Sequence, residues 1–278
     1  MLFATPVLAA RIDRAEARLC ASIATRTAER SPAEVSRVFE VGGGLAVFVA
    51  PGSPTNKMIG VGFDGTVQDD ELDGCERYFA DRGAPLQAEV ATLAAPDLIP
   101  RLVDRGYRPV SFENVLGHDL GSSEARSATG VVVREAQPVE AEEVAEVMAT
   151  GFANPDVGGV GGEPAPPADV IRRWARETLA LTGFRAYVAL VEGQLAGAAA
   201  MRLDDGVAQF SGAATLPVFR RRGAQTALLT YRLEVARRAG CDVGVIVTQP
   251  ASKSQENSER RGFRLLYARQ LLIKQPIG

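Results

Sequence analysis

Between Thr215 and Gly240 the chain reads TLPVFRRRGAQTALLTYRLEVARRAG, and this stretch constrains the fold more than any other. It predicts a strand end, an arginine-glycine loop and an amphipathic helix. After Gly223, the residues Ala224, Leu228, Tyr231, Val235 and Ala239 recur at steps of three and four, which places them on one helical stripe facing a core. Arg232, Arg237 and Arg238 fall off that stripe. The last two occupy the final turn, where cations suit the negative end of the helix dipole, and Gly240 follows as a left-handed stop.

The start of this helix is where chemistry is expected. Arg220, Arg221, Arg222 and Gly223 lead into a helix end whose first N–H groups lack intrahelical partners, and such ends attract anions. Glycine lets a ligand approach the backbone, and guanidinium forks match phosphate oxygens. The arginines admit two readings, a diphosphate site or a solvated surface patch.

Composition narrows the rest. With 278 residues, 46% of them hydrophobic and 23% charged, the chain has the balance of a globular protein of one large or two ordinary domains. No apolar run approaches the roughly 18 residues of a membrane helix, and the opening MLFATPVLAARIDR has no basic flank ahead of its apolar residues. A cytoplasmic protein without a membrane partner is expected. Cys20, Cys75 and Cys241 are widely spaced, which predicts neither a disulfide framework nor a metal site. A net charge of −3 argues against nucleic acid as the main partner.

Periodicity organises the remainder into two halves. In the first, a helix over residues 10–29 precedes strands 37–40 and 45–50, joined at Gly42-Gly43-Gly44. Those glycines fit no phosphate-loop spacing and read as a hairpin turn. A strand at 58–63, a helix at 69–82, a strand at 86–93, a helix at 96–104 and a strand at 111–120 complete this half. The last strand carries His118, the chain's one histidine, which reads as structural. The small polar run 121–130 reads as a linker. Beyond it come a strand at 131–134, a helix at 138–148, a Gly/Pro/acid loop at 152–167 and a helix at 169–181. Three strands at 185–191, 194–203 and 207–216 follow, joined by Glu192-Gly193 and Asp204-Asp205-Gly206 as antiparallel neighbours. A strand at 243–248, a helix capped by Ser252 with Gln255 three places later, and strands at 263–266 and 268–274 close the chain.

The run Pro217-Val218-Phe219-Arg220-Arg221-Arg222-Gly223-Ala224-Gln225-Thr226 resembles the acetyl-CoA loop of the GNAT N-acetyltransferase superfamily, whose pattern is Arg/Gln-x-x-Gly-x-Gly/Ala after a Val-x-Pro strand end. Arg220 and Gly223 fill the first and fourth positions. The sequence departs at Gln225, where the pattern has Gly or Ala, and at Thr215, where it has an apolar residue. The order of elements over residues 131–275 is similar to that of the whole GNAT fold, and Arg261-Gly262-Phe263 resembles its final helix close. In the first half, Arg105-Gly106-Tyr107 repeats that close, but acids in Phe63-Asp64-Gly65-Thr66-Val67-Gln68-Asp69-Asp70 stand where the arginine loop belongs.

The resemblance therefore implies an α/β (α+β) chain of two GNAT-like domains, each a mixed, mainly antiparallel twisted sheet flanked by helices. Residues 1–120 form a degenerate domain without the loop, 121–130 the linker, and 131–278 the acetyltransferase. It implies transfer of an acetyl or other acyl group from acetyl-CoA to the primary amine of a small-molecule or peptide acceptor in a ternary complex. Carrier contacts would fall to Ala214, Thr215 and Leu216 on the splayed strand, to Arg220, Arg221, Arg222, Gly223, Ala224, Gln225 and Thr226 in the loop and first turn, and to Asn257. The family's general acid, a tyrosine five places before the Phe of Gly-Phe, is replaced by Ser258, which leaves Ser258, Tyr267, a water or unaided departure of the thiolate. Asp156 and Glu163 are among the candidate bases. A non-catalytic acyl-CoA sensor is the alternative, and a polyanion binder ranks third.

Overall fold

The computed structural model describes residues 2–30, 36–121, 130–154, 167–181 and 183–276. The chain divides into two compact units. The first comprises Phe3–Val115 with Leu265–Gly278, and the second comprises Leu116–Arg264 with Met1–Leu2.

In the first unit, helix α1 (Pro6–Arg30) precedes strands β1 (Arg37–Val41), β2 (Gly44–Phe48) and β3 (Lys57–Ile59). Helix α2 (Asp69–Ala80), strand β4 (Leu86–Ala91), helix α3 (Leu98–Asp104) and strand β5 (Arg108–Asp119) follow, β5 belonging to this unit as far as Val115 and to the second from Leu116. The expected hairpin is present: β1 and β2 pair antiparallel across Gly42 and Gly43, whose φ of 51° and 77° only glycine adopts without strain. Leu72, Cys75 and Phe79 of α2 pack on Phe48, Met58, Leu86 and Val90 to form the core. The run 122–129, which includes most of the expected linker, lies outside the described residues.

The second unit begins with β6 (Val131–Glu135), a 3-10 turn at Pro138–Glu140, α4 (Ala141–Ala153) and α5 (Ala168–Leu179). The meander β7 (Phe184–Val191), β8 (Gln194–Asp204) and β9 (Val207–Thr215) leads through a 3-10 turn at Pro217–Phe219 into α6 (Ala224–Arg238). Then come β10 (Val243–Thr248) and α7 (Lys253–Glu259). The strand order is β10-β9-β8-β7-β6, antiparallel except for β9 with β10. Side chains alternate across a strand, and both faces of this sheet are covered. Val188, Ala198 and Ala200 face α4 and α5, whereas Tyr187, Ala189, Ala199 and Met201 face Leu228, Leu229 and Leu233 of α6.

Two expectations are revised. The two strands expected at the end of the chain are one, β11 (Arg264–Lys274), with Tyr267 inside it. From Leu265 onward this strand belongs to the first unit, because Arg269 through Lys274 pair antiparallel with Ala91 through Leu86 of β4. The compact units consequently do not follow the expected division at 120 and 131.

Candidate functional site

In the second unit β9 lies between β8 and β10 but keeps both neighbours for only part of its length. It pairs with β10 through Val207, Ala208 and Gln209, and beyond Gln209 the two strands part. Pairing with β8 continues to Thr215 after a register shift between the pairs Ala200↔Ser211 and Ala198↔Ala214. Two residues, Gly212 and Ala213, then stand opposite Ala199, which is a bulge, and Gly212 takes a φ of 59° to make it. The Leu216 amide is spent on the Ala196 carbonyl at 2.9 Å. Ladder bonds alternate in direction, so the Thr215 amide points away from β8 toward the parted edge. The hydroxyls of Ser211 and Thr215 on β9, and of Thr248 at the end of β10, are buried without a partner among the described residues. This segment therefore holds polar groups that the fold leaves unsatisfied.

After Thr215 the 3-10 turn brings the chain to the arginine loop. Arg221 has a φ of 62° and Gly223, the residue preceding α6, a φ of 86°. Among the described residues the backbone amides of Arg221, Arg222, Gly223, Ala224, Gln225 and Thr226 have no hydrogen-bond partner, and the first bond of the helix is Ala227 N to Gly223 O at 2.9 Å. Six consecutive amides at a helix start, with left-handed residues among them, form a concave set of donors suited to an anion.

The three arginines do not act as one patch. Arg220 donates to the Asn154 carbonyl at the end of α4, and Arg222 pairs with Glu192 in the β7–β8 turn while its guanidinium lies 5.7 Å from the centre of the Phe219 ring. Arg221 is exposed and its side chain has no partner among the described residues. The backbone amides and one guanidinium are thus left uncommitted among the described residues, and the other two arginines brace the loop.

The remaining candidates separate into those beside the loop and those elsewhere. Ala224 is buried under the helix. The Gln225 side chain turns toward α7, where Asn257 Nδ2 donates to its Oε1 at 3.1 Å, so its bulk is tied to a neighbour. Arg261, expected from the sequence only as part of the close of the last helix, donates to Thr226 Oγ1 at 3.1 Å and fastens the end of α7 to the same turn. Ala214 is buried and faces α4. Leu216 offers no free amide, which removes it from the expected donors.

Neither expected acid stands ready. Ser258 is 3% exposed and its hydroxyl donates to the Ser254 carbonyl at 2.8 Å within α7. Tyr267 belongs to the first unit and is 4% exposed, and its hydroxyl donates to Asp13 Oδ1 at 2.5 Å. Burial beside that carboxylate pushes its pKa well above the usual phenol range, which makes it a weaker acid. Asp156 and Glu163 lie outside the described residues. His118 is buried, and its Nδ1 has no hydrogen-bond partner among the described residues. Its ring packs at a tilt of 59° against Phe263, with the ring centres 5.1 Å apart, and burial lowers its pKa.

The helix stripe read from the sequence is also corrected. Tyr231 is 37% exposed, and Arg232, placed outside the stripe, is 2% exposed.

Residues 155–263 match the acetyltransferase (GNAT) family. No functionally curated protein matches the sequence. Among solved structures, the chain is similar to a GCN5-related N-acetyltransferase from Kribbella flavida, with 20% identity, a TM-score of 0.65, and 94% of this chain and 96% of that one covered. It is also similar to a tandem GNAT protein from the clavulanic acid biosynthesis pathway, with 12% identity, a TM-score of 0.61 and coverage of 92% and 88%. A GCN5-related N-acetyltransferase from Sphaerobacter thermophilus is 17% identical, with a TM-score of 0.55 and coverage of 75% and 67%. The segment 155–263 is thus matched to the GNAT acetyltransferase family, and it sits in a chain that has the fold of GCN5-related N-acetyltransferases.

Proposed function

We propose that the second unit transfers an acetyl or other acyl group from acyl-CoA to the primary amine of a small molecule or peptide. The observation that carries this reading is the run of six unpartnered amides from Arg221 to Thr226. A diphosphate supplies acceptor oxygens for such a set, and Arg221 adds a charge that can reach them. The pantetheine arm would then run along the parted edge of β9, where the Thr215 amide is free to meet a carbonyl. The amine nitrogen attacks the thioester carbon, the carbonyl oxygen gains negative charge near backbone donors, and the C–S bond breaks. The nitrogen loses a proton and the departing thiolate gains one.

The start of α2 supports assigning the carrier to the second unit alone. There Glu71 accepts from the amides of Gln68 at 3.0 Å and Gly42 at 3.1 Å, so a carboxylate of the protein already fills the place an anion would take. One observation favours a second reading, a module that binds acyl-CoA without turnover: both hydroxyls considered as acids are committed elsewhere.

Titration calorimetry with coenzyme A tests the binding, and release of free thiol from acetyl-CoA across a panel of amines tests the transfer. Gly223→Glu puts a carboxylate among the amides and should weaken coenzyme A by at least about tenfold. Gly223→Ala carries the same left-handed strain, about 1 kcal/mol, without the charge. Equal affinity of all three proteins would remove the loop from the site. Binding without thiol release for any amine would favour the sensor.

A further inference from the structure

Arg232 is the largest fully buried side chain of the second unit, and no carboxylate pairs with it among the described residues. It projects from the middle of α6 into the sheet. Nη1 donates to the Ala200 carbonyl at 2.8 Å and to the Ser211 carbonyl at 3.4 Å, and Nε donates to Leu228 O at 3.2 Å. The guanidinium lies 5.1 Å from the centre of the Phe210 ring. Burial without a counter-charge lowers its pKa to about 9, the sign of an expensive placement. An apolar side chain of similar length would fill the same space at less cost. The carbonyls it grips explain the expense better than packing does.

Ala200 and Ser211 are register partners, the last regular pair before β9 slips by one residue against β8. Gly212 begins the bulge directly after Ser211, and the Thr215 amide turns toward the parted edge only because of that slip. We propose that Arg232 is a positioning residue that clamps the Ala200–Ser211 pair from beneath the sheet, and so fixes the register that aims the Thr215 amide at the pantetheine arm. The ligand part of this statement rests on the acyl-CoA reading; the clamp itself does not.

Arg232→Met keeps the bulk and removes the donors, and Arg232→Lys restores a charge and one donor. Hydrogen exchange reads the clamp without any ligand. In Arg232→Met the amides of Ala214 and Leu216 should exchange about tenfold faster than in the parent, relative to β7 in the same protein, with partial recovery in Arg232→Lys. Unchanged exchange in a folded Arg232→Met protein overturns the clamp. Should Arg232→Met fail to fold, Arg232→Lys carries the same comparison. Ligand affinity then reads the positioning. Coenzyme A should bind Arg232→Met about tenfold more weakly, whereas adenosine 3'-phosphate 5'-diphosphate, which has the diphosphate but no pantetheine, should bind both proteins alike. Equal loss for both ligands would mean a general loosening and overturn the assignment to the pantetheine segment. A parent protein that binds neither ligand would defeat the functional reading while leaving the exchange result to decide the clamp.

Discussion

Gly151 of α4 stands so close to Ala214 of β9 that a β-carbon added to the glycine would lie 2.5 Å from the Ala214 β-carbon. No pair of real β-carbons tolerates that distance, so α4 rests on the strand through a missing side chain. Gly151→Ala would gain about 1 kcal/mol of helix propensity and yet should lower stability by about 1–2 kcal/mol, because helix and strand must separate. Coenzyme A affinity should fall with it, since the displaced strand is the one that carries Thr215. Thermal unfolding and calorimetry on the same preparation check both, and a more stable variant would show that α4 yields freely here.

The committed hydroxyls lead to a prediction about acid catalysis. Ser258 Oγ serves its own helix and Tyr267 Oη serves Asp13, so neither is available to a leaving thiolate. Ser258→Ala and Tyr267→Phe should each keep the transfer rate within about threefold of the parent. Their stabilities should differ, because Tyr267→Phe leaves a deeply buried carboxylate short of a donor and costs about 1–3 kcal/mol. A rate loss of about a hundredfold, with stability intact, would restore the affected residue as the acid.

His118 makes stability depend on pH. Burial against Phe263 lowers its pKa in the folded protein below the ordinary 6.5, so the unfolded chain takes up the proton first as the solution is acidified. The contribution is complete above about pH 7 and is lost as pH falls through 6.5 toward the folded value. His118→Phe retains an aromatic contact and cannot titrate. Its stability relative to the parent should therefore rise from pH 7.5 to pH 5 in urea titrations, and a constant difference would mean that the ring is solvated.

These residues also show how far the sequence could be read. Periodicity and turn chemistry place the β7-β8-β9 meander to within a residue or so, because Glu192-Gly193 and Asp205-Gly206 take left-handed conformations that fix two-residue hairpins. Ser252 caps α7 as its spacing to Gln255 predicts, with Gln255 N donating to its Oγ at 3.2 Å. The loop amides were legible for the same reason: helix starts leave them free whatever the side chains are. Arg232 was not legible, since an arginine in an amphipathic pattern is assigned to solvent and only the carbonyls of Ala200 and Ser211 make its burial tolerable. Gly212 was a signal passed over, a lone glycine inside a strand pattern being the mark of a bulge. The pairing of β11 with β4 depends on contacts across more than 170 positions of the chain, which no local pattern contains.

The charge cluster of the first unit gives the last prediction. Asp13, Glu16, Glu89 and Glu113 surround two cations, Arg269 and Lys57. Arg269 reaches Asp13 at 2.6 Å, Glu16 at 2.7 Å and Glu89 at 3.4 Å, and Lys57 reaches Glu16 at 2.6 Å and Glu89 at 3.0 Å. Glu113 is left with Arg269 at 3.9 Å. Burial and the neighbouring Glu89 push its pKa from 4.5 up to about 8, so near neutrality it holds a proton that the unfolded chain has released. That contribution is complete below about pH 4.5 and disappears as pH rises through 8. Glu113→Gln fixes the neutral form. Measured against the parent, the variant should gain on the order of 2 kcal/mol between pH 5 and pH 9, less than the whole shift implies because the side chain is 26% exposed and water screens part of it. Chemical denaturation at the two pH values reads the difference directly, and a variant that tracks its parent at both would place the shared proton on another carboxylate of the cluster, Asp13 being the one whose burial also raises its pKa.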